Sequence, residues 1–258
     1  MSTTAANWIE LQGVVNVRDV GGLPTEDGGR IRSGVLIRSA NLTDITEADV
    51  ARLVDELGVR RVIDLRTDVE IAQSGRHLLH EAAGVTVHEL SLYRDNPETA
   101  SKPDAVVPWA GERYRDGRPP QVAAYLAYLE RRPDSIVAAL RAIAEPEGGT
   151  VVHCAAGKDR TGMIVALALS VAGVPHELIA ADYAQTQSQI DRIVEQLARN
   201  GLYNLHTTDP DQIPPAAAEV MAQALAAIAE DHGDVLSWLS GQGWTEQDTQ
   251  ALRGKLVG

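Results

Sequence analysis

The feature of the sequence that most restricts the fold is a strand, a loop and a buried helix that follow one another directly. Thr150-Val151-Val152-His153 is rich in β-branched residues, as buried strands are. The apolar stretch from Met163 to Ala172, interrupted only by Ser170, is far shorter than the roughly 18 residues that span a bilayer, and it predicts a buried helix. A strand that leads straight into such a helix is the unit from which α/β folds are built.

Strand and helix signals alternate along the rest of the chain. The N-terminal part is predicted to form a β-hairpin within 14–39 around Asp27-Gly28-Gly29, a helix from Thr46 to Gly58, strands at 61–65 and 85–90, and helices at 121–131 and 134–144. After the strand at 150–153 and the buried helix, we expect a long helix from Pro175 to Gly201, an Ala-rich helix from Ala216 and a last helix capped by Thr245. This order predicts an α/β fold with a central, mostly parallel sheet flanked by helices. Because no internal repeat or low-complexity linker divides the 258 residues, we expect one domain over 1–258.

Two segments outside this regular pattern are predicted to serve the function. Between Asp95 and Pro120 the periodicity disappears and five of the 12 prolines occur, which indicates a long loop, and long loops in compact domains are often functional. The C-terminal segment 182–229 follows the buried helix, is rich in alanine and contains a proline-rich break at 210–215. We expect it to form a helical cover over the site.

The charge balance restricts the partners of the protein. There are 36 Asp and Glu against 23 Lys and Arg, a formal net charge of −13, which repels polyanions at long range. Nucleic acid is therefore not an expected partner. An anionic substrate has to be captured by a local positive site.

The cysteine and histidine content argues against metal chemistry and disulfides. Cys154 is the single cysteine, which excludes an intramolecular disulfide framework and any zinc site with two or more thiolates. The run from His176 to Ala180 lacks the second histidine of a His-Glu-x-x-His motif, so we expect no metal and no cofactor. The N-terminal residues carry neither a basic nor an apolar signal segment, which predicts a cytoplasmic protein without stable membrane insertion.

Candidate catalytic chemistry lies between the strand and the buried helix, in His153-Cys154-Ala155-Ala156-Gly157-Lys158-Asp159-Arg160-Thr161-Gly162. A helix N-terminus presents unpaired backbone N–H groups and a partial positive charge, so a loop that curls into it can hold a phosphate dianion. The same field favours a thiolate at Cys154. Arg160 can reach back over the loop and bind two phosphate oxygens with its planar guanidinium.

Each remaining residue of the loop has a predicted role. Glycine permits a close backbone approach where a Cβ would intrude. Lys158 is expected to be a mobile charge for a second anionic group, Thr161 to donate its hydroxyl to the cysteine sulfur after phosphate transfer, and His153 to fix the loop. The predicted substrate-binding set is Ala155, Ala156, Gly157, Lys158, Thr161 and Gly162, and the predicted catalytic set is Cys154 and Arg160 with an aspartate acid.

The residues of this loop exclude some alternative functions and leave others open. A nucleotide-binding P-loop requires Gly where Val152 stands and Ser or Thr where Asp159 stands, so it is rejected. An arsenate reductase needs a second, resolving thiol that the chain lacks. Alternatives that stay open are a phosphoprotein-binding module without turnover, a sulfurtransferase, and an inert cysteine buried before a helix.

The segment from His153 to Gly162 matches the Cys-x5-Arg-Ser/Thr signature of the protein tyrosine phosphatase superfamily. The wider pattern resembles a bacterial branch that includes a secreted mycobacterial phosphatase of tyrosine and lipid phosphates. The resemblance spans nearly the whole chain and includes the segments 16–22, 36–39, 64–66, 181–183 and 233–256. It implies a phosphocysteine intermediate without metal, activity on phosphotyrosine, in some members also on phosphoserine, phosphothreonine or phosphoinositides, and a helical lid.

The general acid is the point at which the sequence departs from the superfamily. The usual Trp-Pro-Asp loop is absent, since the segment 107–110 has the aromatic residue without the carboxylate. By resemblance to the bacterial branch, the acid follows the strand at 85–90, where Asp95 is the nearest carboxylate. Asp159 within the loop is the alternative, although its place beside Arg160 also suits an ion pair or a loop-shaping role.

Several other charged residues are predicted to be structural. Arg18, Asp19, Arg38 and Asp64 stand near predicted strand ends, where ion pairs are common, so we expect a set of salt bridges and no part in the site. The arginines between 113 and 118 suit a solvated loop and a substrate-facing rim equally well.

Overall fold

A computed structural model describes residues 6–93, 117–202 and 214–258. Within these ranges six strands form one sheet: β1 (Asn7–Trp8), β2 (Arg18–Asp19), β3 (Leu36–Ser39), β4 (Val59–Asp64), β5 (Thr86–Glu89) and β6 (Gly149–His153). Their order across the sheet is β1-β2-β3-β6-β4-β5. The pairs β3–β6, β6–β4 and β4–β5 are parallel, and β1–β2–β3 is antiparallel. The predicted mostly parallel α/β sheet is confirmed.

Helices cover both faces of this sheet in the described part of the chain. They are α1 (Glu47–Ala51, continued to Glu56 as a π-helical turn), α2 (Asp68–Ser74), α3 (Pro120–Arg131), α4 (Pro133–Ala144), α5 (Asp159–Ala172), α6 (His176–Gln185), α7 (Ile190–Arg199), α8 (Ala218–His232), α9 (Val235–Gly241) and α10 (Glu246–Leu256). The capping boxes of Thr46 with Asp49 and of Thr245 with Asp248 start α1 and α10. These sequence signals were interpreted correctly.

The strand β6 occupies the centre of the sheet and positions the loop that follows it. Its residues are all buried between β3 and β4. His153 pairs with Ser39 on one side and with Asp64 on the other, so three parallel strands end at the same edge. The loop from Cys154 to Lys158 begins at this edge. All residues of α5 except Ser170 are buried, which anchors the far side of the loop in the core.

The predicted long helix from Pro175 to Gly201 is interrupted, and its interruption is a tertiary effect. The chain forms α6, a 3₁₀ turn at Thr186–Gln189, and then α7. Arg18 donates from Nη2 to the carbonyl of Asp182, which an uninterrupted α-helix would pair with the amide of Thr186. That amide bonds to the carbonyl of Tyr183 instead, and the helix tightens into a 3₁₀ turn.

Other predictions have mixed outcomes. The hairpin within 14–39 is antiparallel as expected, but its strands are short, and between them the ladder is reduced to a bridge of Pro24 with Arg30. The strand β1 and the short helices α2 and α9 were not predicted. The loop predicted from Asp95 to Pro120 lies outside the described residues up to 116, and its last residue, Pro120, begins α3.

The predicted cover over 182–229 stays a prediction, and the structure restricts its bounds. Asp182 is held in a buried ion-pair network, and Met221, Leu225 and Ile228 of α8 are fully buried in the main core. A moving part would therefore not include these two anchored stretches. Among the described residues, no helix combines the length and the apolar character needed to cross a membrane.

Candidate active site

The sulfur of Cys154 lies inside the loop between β6 and α5. The residue is 2% exposed, and the amide of Gly157 donates to Sγ at 3.3 Å. A thiolate is stabilised by N–H donors and by the N-terminus of a helix, and α5 begins at Asp159. The predicted strand-loop-helix placement of this cysteine is therefore present in the fold.

Every carbonyl from Cys154 to Lys158 is bonded to a group that helps fix the loop. Two of these carbonyls accept from backbone amides: that of Ala155 from Asn41 at 3.0 Å, and that of Lys158 from Gly162 at 2.9 Å. The others bond to side chains: the Cys154 carbonyl to His153 Nδ1 (3.3 Å), the Ala156 carbonyl to Asn16 Nδ2 (3.2 Å), and the Gly157 carbonyl to Asn16 Nδ2 (3.2 Å) and Arg38 Nη2 (2.9 Å). In a trans peptide the C=O of one residue and the N–H of the next point in opposite directions. Each bonded carbonyl therefore turns the following amide to the opposite side of the loop. One example is the peptide between Ala156 and Gly157, whose carbonyl bonds to Asn16 while its N–H donates to the sulfur of Cys154.

The two glycines of the loop are required by contacts within the protein. Gly157 has φ +66°, and a Cβ there would stand 2.4 Å from the carbonyl oxygen of Ser39. A Cβ on Gly162 would stand 2.9 Å from the ring of Tyr183. The sequence predicted a close backbone approach at both positions without naming the neighbour. The structure assigns it to β3 and α6.

Arg160 is held by a carboxylate that the sequence analysis missed. Its Nη1 and Nη2 donate to the two oxygens of Glu70 at 2.6 and 2.7 Å, and Nη1 also donates to the Leu65 carbonyl. Burial opposes the charge of Arg160, but Glu70 and, to a smaller extent, Cys154 raise its pKa well above the usual value. The ring of Tyr93 lies below the guanidinium at 5.2 Å.

This pairing leaves a defined edge of the guanidinium for a ligand. Arginine has five N–H donors in a fixed plane, and Glu70 with Leu65 engages three of them. Within the described part of the chain, the two remaining donors are Nε–H and one Nη2–H. They are parallel and lie on one edge, which is the geometry that binds two phosphate oxygens.

Replacing Glu70 by Gln should destabilise the protein by about 3 kcal/mol, because it leaves a buried guanidinium without its counter-charge. Gln keeps the capping-box interaction with Thr67, so the loss reports on Arg160. Urea unfolding measures it. The control is Glu145→Gln at the ion pair with Arg61, where the Glu145 side chain is 50% exposed and a loss below about 1 kcal/mol is expected. Equal losses in the two variants would contradict the expectation.

The placement of Lys158 differs from its predicted one. The sequence suggested a mobile charge facing the substrate, but Lys158 is 1% exposed and its Nζ donates to the Pro214 carbonyl at 2.6 Å. Burial lowers its pKa, which Asp159 and Cys154 partly oppose. Its ammonium is thus part of the packed wall of the loop, close to the start of the segment that leads into α8.

Asp159 is not the ion-pair partner of Arg160, contrary to one of its two predicted structural roles. Its Oδ1 accepts hydrogen bonds from Tyr125 at 2.6 Å and from Gln121 Nε2 at 3.2 Å, and Tyr125 is in turn bonded to Tyr183 at 2.7 Å. Burial and then Asp159 raise the pKa of Tyr125 well above its usual value, so this phenol stays protonated and donates. The loop-shaping role of Asp159 fits these contacts. Its rival Asp95 lies outside the described residues.

His153 is fixed as the sequence suggested, within a cluster of buried polar groups. Its Nδ1 bonds to the Cys154 carbonyl, and its Nε2 lies 3.5 Å from Oδ2 of Asp64. Asp64, His77 and His153 could offer one ligand atom each within 4.8 Å. However, Arg66 already binds both oxygens of Asp64, at 2.9 and 2.6 Å, and would repel a divalent ion. These residues do not fit a metal and are better explained as the support of His153.

The remaining predicted residues have simpler positions. The hydroxyl of Thr161 is buried and, among the described residues, has no hydrogen-bond partner. Its hydroxyl is therefore not committed to another group in this part of the chain, and its donation to the cysteine sulfur stays a prediction. Arg118 pairs with Glu230 and Asp231 of α8, while its neighbours in the predicted arginine rim lie outside the described residues.

Both predicted structural arginines form salt bridges, and one of them, Arg38, also contacts the loop. Arg18 and Arg38 both bind Asp182, while Asp19 accepts backbone amides of Gly21 and Gly34. Arg38 reaches the Gly157 carbonyl. Arg18 and Arg38 were not predicted to belong to the site, although Asn16, Arg38 and Asp182 all belong to the segments that carry the family resemblance. Glu70 had only a local signal, the capping box with Thr67.

The chain belongs to the tyrosine phosphatase family, whose sequence model matches residues 9–258. It is therefore a protein tyrosine phosphatase-like enzyme, as the loop and the sheet around it indicated.

Curated relatives agree with this assignment. The chain is 29% identical to the triple specificity protein phosphatase PtpB of Mycobacterium tuberculosis over 287 aligned residues, covering 96% of this chain and 99% of that protein. It is 29% identical to a tyrosine-protein phosphatase of Nostoc commune, covering 88% of this chain and 75% of that one. It is 32% identical to a putative tyrosine-protein phosphatase of Cupriavidus necator, covering 93% of this chain and 85% of that protein.

Proposed function

We propose that the protein hydrolyses phosphate monoesters through a covalent phosphocysteine at Cys154. The observation that carries this proposal is the loop itself. Its carbonyls are bonded to fixed donors, and an amide faces the sulfur at 3.3 Å. Glu70 holds Arg160 so that two parallel donors remain, and Cys154 is near enough to contribute to its raised pKa. Such a cradle stabilises the three equatorial oxygens of a phosphoryl group in transfer.

The proposed reaction has two steps. The thiolate of Cys154 attacks phosphorus, an S–P bond forms, and the P–O bond to the substrate breaks while an aspartic acid gives its proton to the leaving oxygen. A water molecule then attacks phosphorus, its proton returns to the aspartate, and the S–P bond breaks to release phosphate and thiolate. Arg160 and the loop amides bind the oxygens throughout, and the hydroxyl of Thr161 donates to the leaving sulfur.

The test is an assay with a generic aryl phosphate in the presence and absence of vanadate. A catalyst of the proposed kind turns over the ester, and vanadate, which imitates the five-coordinate phosphorus, inhibits it. A phosphoprotein-binding module would bind phosphate without turnover. A sulfurtransferase would transfer sulfur from a sulfane donor and leave the phosphate ester intact. Either result would overturn the proposal.

We further propose that Asp95 is the general acid and that Asp159 shapes the loop. The phenol released from phosphotyrosine has a pKa near 10, so protonation in the transition state should contribute about 10²- to 10⁴-fold. Asp95→Asn should slow phosphotyrosine hydrolysis far more than hydrolysis of an activated aryl phosphate. It should also remove the decline of activity at alkaline pH, because that decline reports deprotonation of the acid.

Asp159→Asn is the matched comparison, because it removes one charge within the loop. It should slow both substrates alike through the altered contacts of Tyr125 and Gln121. If the leaving-group dependence occurs in Asp159→Asn and is missing in Asp95→Asn, the two roles must be exchanged. If neither variant shows it, the acid is another group.

On substrate class, we propose phosphotyrosine first, with phosphoserine, phosphothreonine and phosphoinositides also accepted. The substrates are thus phosphorylated proteins and phospholipids. The mycobacterial relative is named for triple specificity. A second cation, Lys158, stands two residues before Arg160, and it would have to exchange its bond to the Pro214 carbonyl for a second phosphate. A lipid with several phosphates can use a second cation, whereas phosphotyrosine needs one.

Lys158→Met should therefore reduce kcat/KM for a polyphosphorylated inositol lipid more than for a phosphotyrosine peptide. Methionine retains the length of the buried stem and removes the charge. Rates on the two substrates are compared at one ionic strength, because charge-dependent binding varies with salt. Equal losses would mean that Lys158 acts only through its bond to the Pro214 carbonyl.

A further inference from the structure

We infer that Asp182, on α6, is a positioning residue for the phosphate-binding loop. This inference rests on the proposed function of that loop. Asp182 does not bond to the loop itself. It acts through two buried arginines, Arg18 and Arg38, that come from the neighbouring strands β2 and β3.

The first connection runs through Arg38. Its Nη1 donates to Oδ2 of Asp182 at 2.7 Å, and its Nη2 donates to the Gly157 carbonyl at 2.9 Å. The planar guanidinium fixes the angle between these two bonds. The carboxylate therefore determines where the second arm of Arg38 points, and that arm holds the peptide that follows Gly157.

The second connection runs through Arg18 and Asn16. Arg18 donates from Nε to Oδ1 of Asp182 at 2.9 Å and from Nη1 to Oδ1 of Asn16 at 2.7 Å. The amide group of Asn16 then donates to the carbonyls of Ala156 and Gly157, both at 3.2 Å. Asn16 stands at φ +57°, a conformation that asparagine tolerates better than most residues. Both connections thus end at the same turn of the loop.

Electrostatics makes the carboxylate necessary to both connections. Arg18 and Arg38 are 0% and 1% exposed and lie opposite each other across β2 and β3. Burial and then the charge of Arg38 lower the pKa of Arg18 to about 10, and Asp182 opposes this effect. Burial alone would raise the pKa of Asp182, but the two arginines hold it below the usual value. Without the carboxylate, the two guanidiniums would repel each other, and their bonds toward the loop would be lost.

The consequence for the reaction is specific. The carbonyls of Ala156 and Gly157 fix the direction of the amides of Gly157 and Lys158, which belong to the oxyanion cradle. A change at Asp182 should therefore weaken binding of the transferring phosphoryl group, whatever alcohol is leaving. It should leave the proton transfer untouched.

Asp182→Asn tests the inference, since it keeps the size of the side chain and removes its charge. We expect kcat/KM to fall about 10- to 100-fold for aryl phosphates, less than the 10²- to 10³-fold that loss of an oxyanion donor costs. The fall should be equal for good and poor leaving groups, and the inhibition constant of vanadate should rise by the same factor. Asp182→Glu should recover part of the activity.

The control is Asp49→Asn, another buried aspartate, which binds backbone amides of Gln12, Gly13 and Thr46. It should lower the unfolding midpoint and leave kcat/KM of the folded enzyme unchanged. If Asp182→Asn does not fold, Arg38→Lys decides, because it keeps the charge and loses the two-armed geometry. In Arg38→Lys, too, kcat/KM should fall and the inhibition constant of vanadate should rise by the same factor.

Folded Asp182→Asn with kcat/KM and vanadate inhibition within about twofold of the wild type would overturn the inference, as would a loss that depends on the leaving group. Failure of the proposed function itself would be recognised separately, by wild-type protein without phosphatase turnover or by full activity in Cys154→Ser.

Discussion

Cys154→Ser is expected to abolish turnover, with kcat reduced by at least about 10⁴-fold, while substrate binding survives. The serine hydroxyl stays protonated at neutral pH and is a poor nucleophile toward phosphorus. The loop carbonyls keep their partners and Arg160 keeps Glu70, because none of these contacts uses the sulfur. Initial rates with an aryl phosphate and equilibrium binding of a phosphotyrosine peptide measure the two effects.

Retention of binding is as informative as loss of rate. If both disappear, the substitution has disturbed the loop and the experiment says nothing specific about the nucleophile; circular dichroism and the unfolding midpoint separate that case. Turnover that persists in folded Cys154→Ser would exclude the phosphocysteine. Wild-type activity should also withstand a metal chelator, and its loss on chelation would contradict the metal-free reaction.

Arg160→Lys is expected to reduce kcat/KM by about 10³-fold or more, although it conserves the charge. A lysine ammonium cannot bind both oxygens of Glu70 in one plane and at the same time present two parallel donors to phosphate. The inhibition constant of vanadate should rise in parallel, since the same oxygens are involved. Rates and vanadate inhibition are measured on the same preparation.

The control for this change is Arg141→Lys. Arg141 binds both oxygens of Asp248 at 3.0 and 2.9 Å on the surface, so its replacement also removes a two-armed contact, but on α4 and α10. The kcat/KM of Arg141→Lys should equal that of the wild type. An Arg160→Lys variant with activity close to that of Arg141→Lys would show that the guanidinium fork is not needed, and the proposed role of Arg160 would be wrong.

Most of the longer elements were predictable because their signals are local. Capping boxes, the glycines after helices and the apolar period of α1 and α4 depend on residues a few positions apart. The same is true of the loop at Cys154, whose residues are consecutive in the chain. The break between α6 and α7 was not predictable, because it depends on the bond from Arg18 to the Asp182 carbonyl, across 164 positions.

From the sequence alone we could infer the α/β order of elements, the loop that contains Cys154 and Arg160, and the superfamily, because a strand, a turn and a helix N-terminus form from adjacent residues. The groups that support that turn could not be inferred in this way, because they are distant in the chain. Glu70 meets Arg160 across 90 positions, and Asp182 meets Arg18 across 164. Such pairs form only when the sheet register and helix packing bring distant side chains together, and burial then makes each charge depend on its partner.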